Sequence, residues 1–259
     1  MPNFLFPALG YLYYWLLKED QYSLQGPFLS NLYQDLKSFL KYSEKEDLDI
    51  ESFRKKLLQN HSIIPVEDFG AGSKKVPEKN RKISDITRYS TSGRKFAQLY
   101  QFFASKTPAR LLIELGTCMG ISTRYLSQVT LGKLATFEGS YSIQEAAKTD
   151  FSAENTEFIL GKIQDTLPIF LKKNPIVDFA LIDATHTYDD TLNYFEILLP
   201  HLHSKSIVII ADIYWSKEMN QAWKSIIRRP EVRLSLDFYE CGILFFDFPG
   251  EKTHRILDY

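Results

Sequence analysis

From Arg110 onward, short apolar runs alternate with stretches in which apolar residues recur every three or four positions. LLIEL (111–115), KLATFE (133–138), TEFILG (156–161), VDFALID (177–183) and SIVIIAD (206–212) read as strands. Ser122–Val129, Ile143–Phe151, Thr166–Lys172, Thr191–Leu198 and Lys217–Ile227 read as the helices between and after them. Short apolar strands separated by helices predict a parallel sheet covered on both faces. The rhythm breaks at the end. Val232–Tyr239 and Gly242–Phe248 are strands joined by Glu240-Cys241 alone. That link cannot hold a parallel crossover, so the pair reads as an antiparallel hairpin. The prediction is an α/β fold with a doubly wound, seven-stranded, mostly parallel sheet.

The first third of the chain has a different pattern. Residues 1–60 read as helical, with Tyr11, Trp15, Tyr33, Leu36, Phe39 and Leu40 at helix-like spacings and a break at Gly26-Pro27. Phe4–Leu17 is strongly apolar but shorter than the ~20 residues of a membrane span. It lacks the basic start and small-residue cleavage site of a signal peptide. It reads as an amphipathic or buried helix. Residues 65–92, rich in Gly, Lys, Ser and Pro, read as a long connection. A helix over Gly93–Ala104 follows, closed by Thr107-Pro108. The chain thus divides into a helical N-terminal lid or extension with its loop (1–82) and a sheet domain (83–259).

Composition narrows the function classes. Of 259 residues, 44% are apolar and 24% charged, as in ordinary globular proteins. A formal net charge of −1 offers no broad basic field, which argues against nucleic acid as a partner. Lys74-Lys75 and the group Lys79, Arg81 and Lys82 read as solvated loop. Two cysteines, Cys118 and Cys241, are too few for a disulfide framework and fit a reduced, cytoplasmic setting. No membrane partner is expected, and a homodimer is left open.

Two glycine-bearing loops compete for the site. DFGAGS (68–73) follows an apolar run but leads into Lys-Lys-Val-Pro, a poor helix start. It reads as a tight loop that covers a site from outside. Its Asp-Phe-Gly triplet has no kinase catalytic-loop motif beside it. The segment Glu114-Leu115-Gly116-Thr117-Cys118-Met119-Gly120 follows a strand and opens a helix, which is where such sheets bind ligands. A dinucleotide fingerprint starting at Gly116 would need Gly at 118 and 121, which hold Cys118 and Ile121. The spacing is instead E-x-G-x-x-x-G-x-S.

This pattern resembles class I S-adenosylmethionine-dependent methyltransferases, especially the catechol O-methyltransferase-like branch. The likeness spans about Ile83 to Tyr259 and rests on five motifs in order: Glu114–Gly120, Glu138, Gly161–Asp165, Leu181–Tyr188 and Ala211–Ile213. It implies a Rossmann-like sheet and a cofactor site of Glu114, Gly116, Thr117, Gly120, Ser122, Glu138, Ile163, Gln164 and Asp183. In that reading Glu138 takes the ribose hydroxyls, and Ile163 and Gln164 edge the adenine. The resemblance also implies Asp183, His186 and Asp212 as the catalytic group and a small-molecule acceptor, methylated on oxygen. Residues 1–82 are similar, more weakly, to methyltransferase-like bacterial proteins with a Ser-Pro-Phe segment, here Gly26-Pro27-Phe28.

His186 is the neatest base for a hydroxyl acceptor, since imidazole titrates near neutrality, and Asp183 is the alternative. In the branch, Mg²⁺ is held by oxygens at the ends of the fourth and fifth strands. Asp183 and Asp212 match two of them, but the next position is Ile213, so no metal ligand is assigned and Mg²⁺ held more weakly, through waters, stays open. Plainer readings stand beside these: Asp183 or His186 as caps of the following helix, His201 and His203 as surface residues, Met219 and Trp223 as core. Tyr214 and Trp215 are candidates for an acceptor pocket. The rival functions are a nicotinamide-dependent oxidoreductase and a cofactor-binding module without catalysis.

Overall fold

The computed structural model describes residues 5–24, 26–43, 46–70, 72 and 78–259. Ala71 and Ser73 of the DFGAGS loop and the Lys74-Lys75 pair lie outside the described residues. Helices α1 (Leu5–Leu17), α2 (Pro27–Ser43) and α3 (Leu48–Leu58) come first, then a small antiparallel ribbon of β1 (Ile63–Pro65) and β2 (Asn80–Lys82). Next are α4 (Ile83–Ser90), α5 (Arg94–Ser105), β3 (Leu111–Leu115), α6 (Ile121–Val129), β4 (Lys133–Glu138), α7 (Tyr141–Lys148), β5 (Thr156–Leu160) and α8 (Ile163–Lys173). The chain ends with β6 (Val177–Ile182), α9 (Tyr188–Leu198), β7 (Leu202–Ala211), α10 (Lys217–Ile226), β8 (Leu234–Asp237), β9 (Cys241–Phe245) and β10 (Thr253–Ile256).

The main sheet has eight strands in the order β10-β8-β9-β7-β6-β3-β4-β5. The doubly wound, mostly parallel architecture is as expected. β9 is antiparallel to both β7 and β8, so the hairpin slots its second strand against β7. The eighth strand, β10, was not expected. It is short, reads Thr-His-Arg-Ile without an apolar run, and pairs parallel to β8. The long connection over 65–92 also needs correction. It contains β2 and α4, whose Ile83 and Ile86 are buried but whose Ser, Asp, Thr and Arg mask the apolar stripe. α8 starts three residues before the predicted Thr166, because Pro168 inside it obscures its first turn.

Strand residues alternate between two cores, as the period of two requires. Leu112, Leu134, Phe179, Leu181, Ile207 and Ile209 face one core, which α2 and α5 cover with Tyr33, Leu36, Leu99 and Phe103. Ile113, Leu115, Phe137, Ala180, Ile182, Val208 and Ile210 face the other, against Leu167, Tyr194, Phe195 and Trp223. Met219 and Trp223 are core residues, each 1% exposed. A third core joins Ile50, Phe53 and Leu57 of α3 to Ile86, Ile121 and Tyr125.

α3 is also tied down by charge. Asp47, 1% exposed, takes Nη2 and Nε of Arg94 at 2.6 and 2.9 Å and Nε2 of Gln98 at 2.8 Å. The Tyr125 hydroxyl lies 2.8 Å from both Asp47 and Glu51. Truncating the buried partner strands several donors. Asp47→Ala should therefore lower stability by about 2–3 kcal/mol, the partly exposed Arg94 recovering some hydration. Denaturant unfolding checks this, and an unchanged midpoint would show that the network is only surface decoration.

Candidate active site

The strand order reverses between β3 and β6, which makes the carboxyl ends of these strands the topological switch point. The chain is pulled tight there. Gly116 and Thr117 both donate to the Phe137 carbonyl, and Asp183 donates to the Leu115 carbonyl. Gly116 has φ +103, and a Cβ on it would lie 2.1 Å from the Asp183 carbonyl oxygen. Gly120, at φ +69, begins α6 against Ala147, whose Cβ would be 3.0 Å from an added one. These glycines are demanded first by neighbouring backbone, a role the sequence reading gave to the ligand.

The first cavity is walled by Gly116, Cys118, Glu138, Gly139, Gly161, Ile163, Gln164, Asp183 and His186, and on its outer side by residues 66–70. The described part of DFGAGS therefore covers this cavity. Phe69 stands over Gly139, Gly70 abuts Thr185, and the Phe69 ring sits 5.3 Å from Lys162 Nζ. Asp68 pairs with Arg81 at 2.9 Å. Glu138 receives the N–H groups of Cys118 at 3.0 Å and Ser140 at 2.9 Å. Burial raises its pKa above the ordinary carboxylate value, and those N–H groups pull it back. Gln164 donates to Asp190 at 3.0 Å and opens α8 beside Ile163.

Glu114, Thr117, Gly120 and Ser122 are not in that wall. Thr117 shares a 2.6 Å hydrogen bond with Thr136, which donates at 2.7 Å to Glu114, as Thr123 also does. Glu114 is fully buried and its Oε1 has no partner. Burial pushes it up to about 7, against the hydroxyls of Ser122, Thr123 and Thr136. Ser122 bonds this carboxylate, and Thr117 reaches it through Thr136.

The second cavity, about 300 Å³, is lined by Tyr89, Ser92, Tyr100, Asp183, His186, Asp212, Trp215 and Glu240 among others. Asp183 and His186 belong to both cavities. His186 Nε2 lies 3.8 Å from Asp183 and 3.6 Å from Asp212, its ring is 5.7 Å from that of Trp215, and its Nδ1 is buried without a partner. Desolvation raises Asp183 to about 6, His186 opposes this, and Asp212 adds to it. Ser92 Oγ is 3.4 Å from Asp183. Thr187 caps α9 by accepting from the Asp190 N–H, so neither Asp183 nor His186 is spent on that cap. Tyr214 is buried against Gly10 and Tyr239 and does not line the cavity, whereas Trp215 does.

Cys118, Thr185, His186 and Asp212 all have φ between 47 and 58°. Left-handed backbone is uncommon for such residues and costs on the order of 1–3 kcal/mol each, a pattern that gathers at functional sites. Tyr89, Ser92, Tyr100 and Glu240 were missed by sequence reasoning. They come from far along the chain and carry no local signal. Cys118 and Gly139 could have been found, since Cys118 sits within the Glu114–Gly120 motif and Gly139 directly follows Glu138.

A family described as "Methyltransferase domain" matches residues 113–213. No curated protein matches the sequence. Among solved structures, the O-methyltransferase TomG of Streptomyces achromogenes, involved in tomaymycin synthesis and bound to SAM, is 17% identical with a TM-score of 0.54. The alignment covers 62% of this chain and 83% of that one. The SAH-bound Podospora anserina methyltransferase PaMTH1 is 17% identical at a TM-score of 0.53, covering 61% and 81%. A candidate caffeoyl-CoA O-methyltransferase from Staphylococcus aureus is 14% identical at a TM-score of 0.59, covering 83% of this chain and 100% of its own. At these identities the likeness is one of fold.

Proposed function

We propose that this chain, whose residues 113–213 match a methyltransferase domain, is an S-adenosylmethionine-dependent methyltransferase acting on an oxygen of a small-molecule acceptor. One observation carries the reading: Asp183 and His186 line both the cavity at the switch point and the one beside it, where a donor and an acceptor would meet. The first cavity suits the cofactor. A deep carboxylate, Glu138, faces it at the end of β4 and can accept from both ribose hydroxyls. Gly116 brings bare backbone to its floor, and Ile163 and Gln164 offer an apolar and a polar edge for an adenine. When bound, S-adenosylmethionine supplies an electrophilic methyl group. The protein's part is to hold the acceptor oxygen in line with it, which accounts for on the order of 7–11 kcal/mol of barrier reduction.

His186 Nε2 takes the acceptor's hydroxyl proton. Asp183 and Asp212, within 4 Å of that nitrogen, stabilise the resulting imidazolium. The loop over 66–70 excludes water from the donor side, so that the small molecule enters from the side of Ser92 and Trp215.

The donor set does not fit a magnesium site built from oxygens. Asp183, His186 and Asp212 present one ligand atom each within 4.8 Å of one another, and the position after Asp212 is the fully buried Ile213. Magnesium demands near-octahedral oxygen coordination, and an imidazole replaces an oxygen here. A cytoplasmic setting belongs to the same proposal. No described helix is long and apolar enough to cross a membrane.

Glu138→Ala should weaken S-adenosylhomocysteine binding by about 1–3 kcal/mol, measured by calorimetry on a variant whose melting is unchanged. Equal affinity would remove Glu138 from the site. Tight NAD binding without any binding of S-adenosylhomocysteine would favour an oxidoreductase instead.

A further inference from the structure

The N-terminal helix was expected to be amphipathic or buried, and it is neither. Of the thirteen residues of α1, only Gly10 and Tyr14 are buried. The helix sits on the body by a narrow strip. A Cβ on Gly10 would touch Tyr214 at 2.5 Å, the Tyr239 hydroxyl donates to the Pro7 carbonyl at 2.8 Å, and the Tyr14 hydroxyl donates to the Leu257 carbonyl at 2.8 Å. On the opposite side stand Leu5, Leu9, Leu12 and Leu16, exposed by 40, 44, 50 and 64%. Their spacing of four, three and four residues is that of the apolar seam by which one helix packs into another. Tyr13 and Trp15 flank the seam and are 53 and 55% exposed.

We propose that this leucine seam is the contact between two copies of the chain, a two-fold symmetric homodimer paired through α1. Three observations select a second copy. The seam matches its own kind, as a self-complementary interface requires. The four seam leucines with Tyr13 and Trp15 are 40–64% exposed. At ~200 Å² each these six offer on the order of 600 Å². That is the lower end of one partner's share of a stable interface and the upper end of what monomers leave bare. Finally, the helix lacks the basic polar face of a membrane-surface helix: Leu5–Leu17 contains no charged residue, and Lys18 is paired with Asp258 at 2.8 Å. The pairing would also place the partner near the second cavity, since Tyr239 of the α1 seat adjoins Glu240 of that cavity's wall.

Sedimentation velocity on the full chain tests this. The expected result is a mass twice the chain's 30.1 kDa. Leu9→Glu/Leu12→Glu, folded by circular dichroism, should be monomeric at the same concentration, its self-affinity reduced at least roughly 100-fold. Because those charges could disturb α1, Leu9→Cys/Leu12→Cys provides a second reading. Mild oxidation should link two chains through these positions, with the parent chain as control. A monomeric parent overturns the proposal, and so does a dimer that survives the glutamates or fails to cross-link. A monomer that floats with phosphatidylcholine vesicles would assign the seam to a lipid surface and overturn it equally.

Discussion

His186→Ala should lower kcat by about 10²–10⁴-fold while leaving affinity for S-adenosylhomocysteine within about twofold of the parent. The split follows from position. His186 sits where the two cavities meet, and its Nε2 is held by neither carboxylate at hydrogen-bond distance, at 3.8 and 3.6 Å. An imidazole left free in this way is available to the acceptor. A residue that only filled space would change binding and turnover together. The pH profile adds a second signature. Asp183, raised to about 6 by burial, is neutral below that value and cannot balance an imidazolium. Turnover in the parent should therefore rise as pH is raised through about 6. Single-turnover kinetics across pH 5–8 measures both. Full turnover in His186→Ala would pass the base role to Asp183.

The second large effect concerns stability without cofactor. Glu114 is raised from 4.5 to about 7 by burial, so the native state holds its proton more tightly than the unfolded chain. That contribution is fully present below the unfolded value and is lost as pH rises through about 7. Asp183 and Asp237, both raised to about 6, act in the same direction over a lower window. Between pH 5 and 8 the parent should lose about 2–3 kcal/mol through Glu114 alone. Glu114→Gln, neutral at every pH, should flatten that part of the curve. Urea unfolding at several pH values checks it, and identical slopes in parent and variant would contradict the burial argument.

The strands β3, β4, β6 and β7 were legible because each carries a buried apolar run, whereas the edge strand β5 was legible from Phe158-Ile159-Leu160 alone. The hairpin was legible because two residues cannot cross a sheet. α4 was hidden, since only Ile83 and Ile86 anchor it and its remaining residues look like loop. β10 was hidden because an edge strand needs no apolar alternation. At the site, residues inside motifs could be named, but not what they touch. Gly116 reads as a cavity glycine, and only the fold shows the Asp183 carbonyl beneath it, which demands the glycine as well. Thr117 and Ser122 read as ligand contacts, and the fold sets them outside the cavity wall, Ser122 against the buried Glu114 and Thr117 on Thr136. The acceptor side was least legible, because Ser92, Tyr100 and Glu240 meet only once the sheet is wound.

A crystal of the full chain grown with S-adenosylhomocysteine addresses the central claim most directly. The account predicts the nucleoside in the cavity between Gly116 and Gly161, its ribose hydroxyls on Glu138 and its sulfur facing His186. Density for the compound at any other place, or none at saturating concentration, would contradict it.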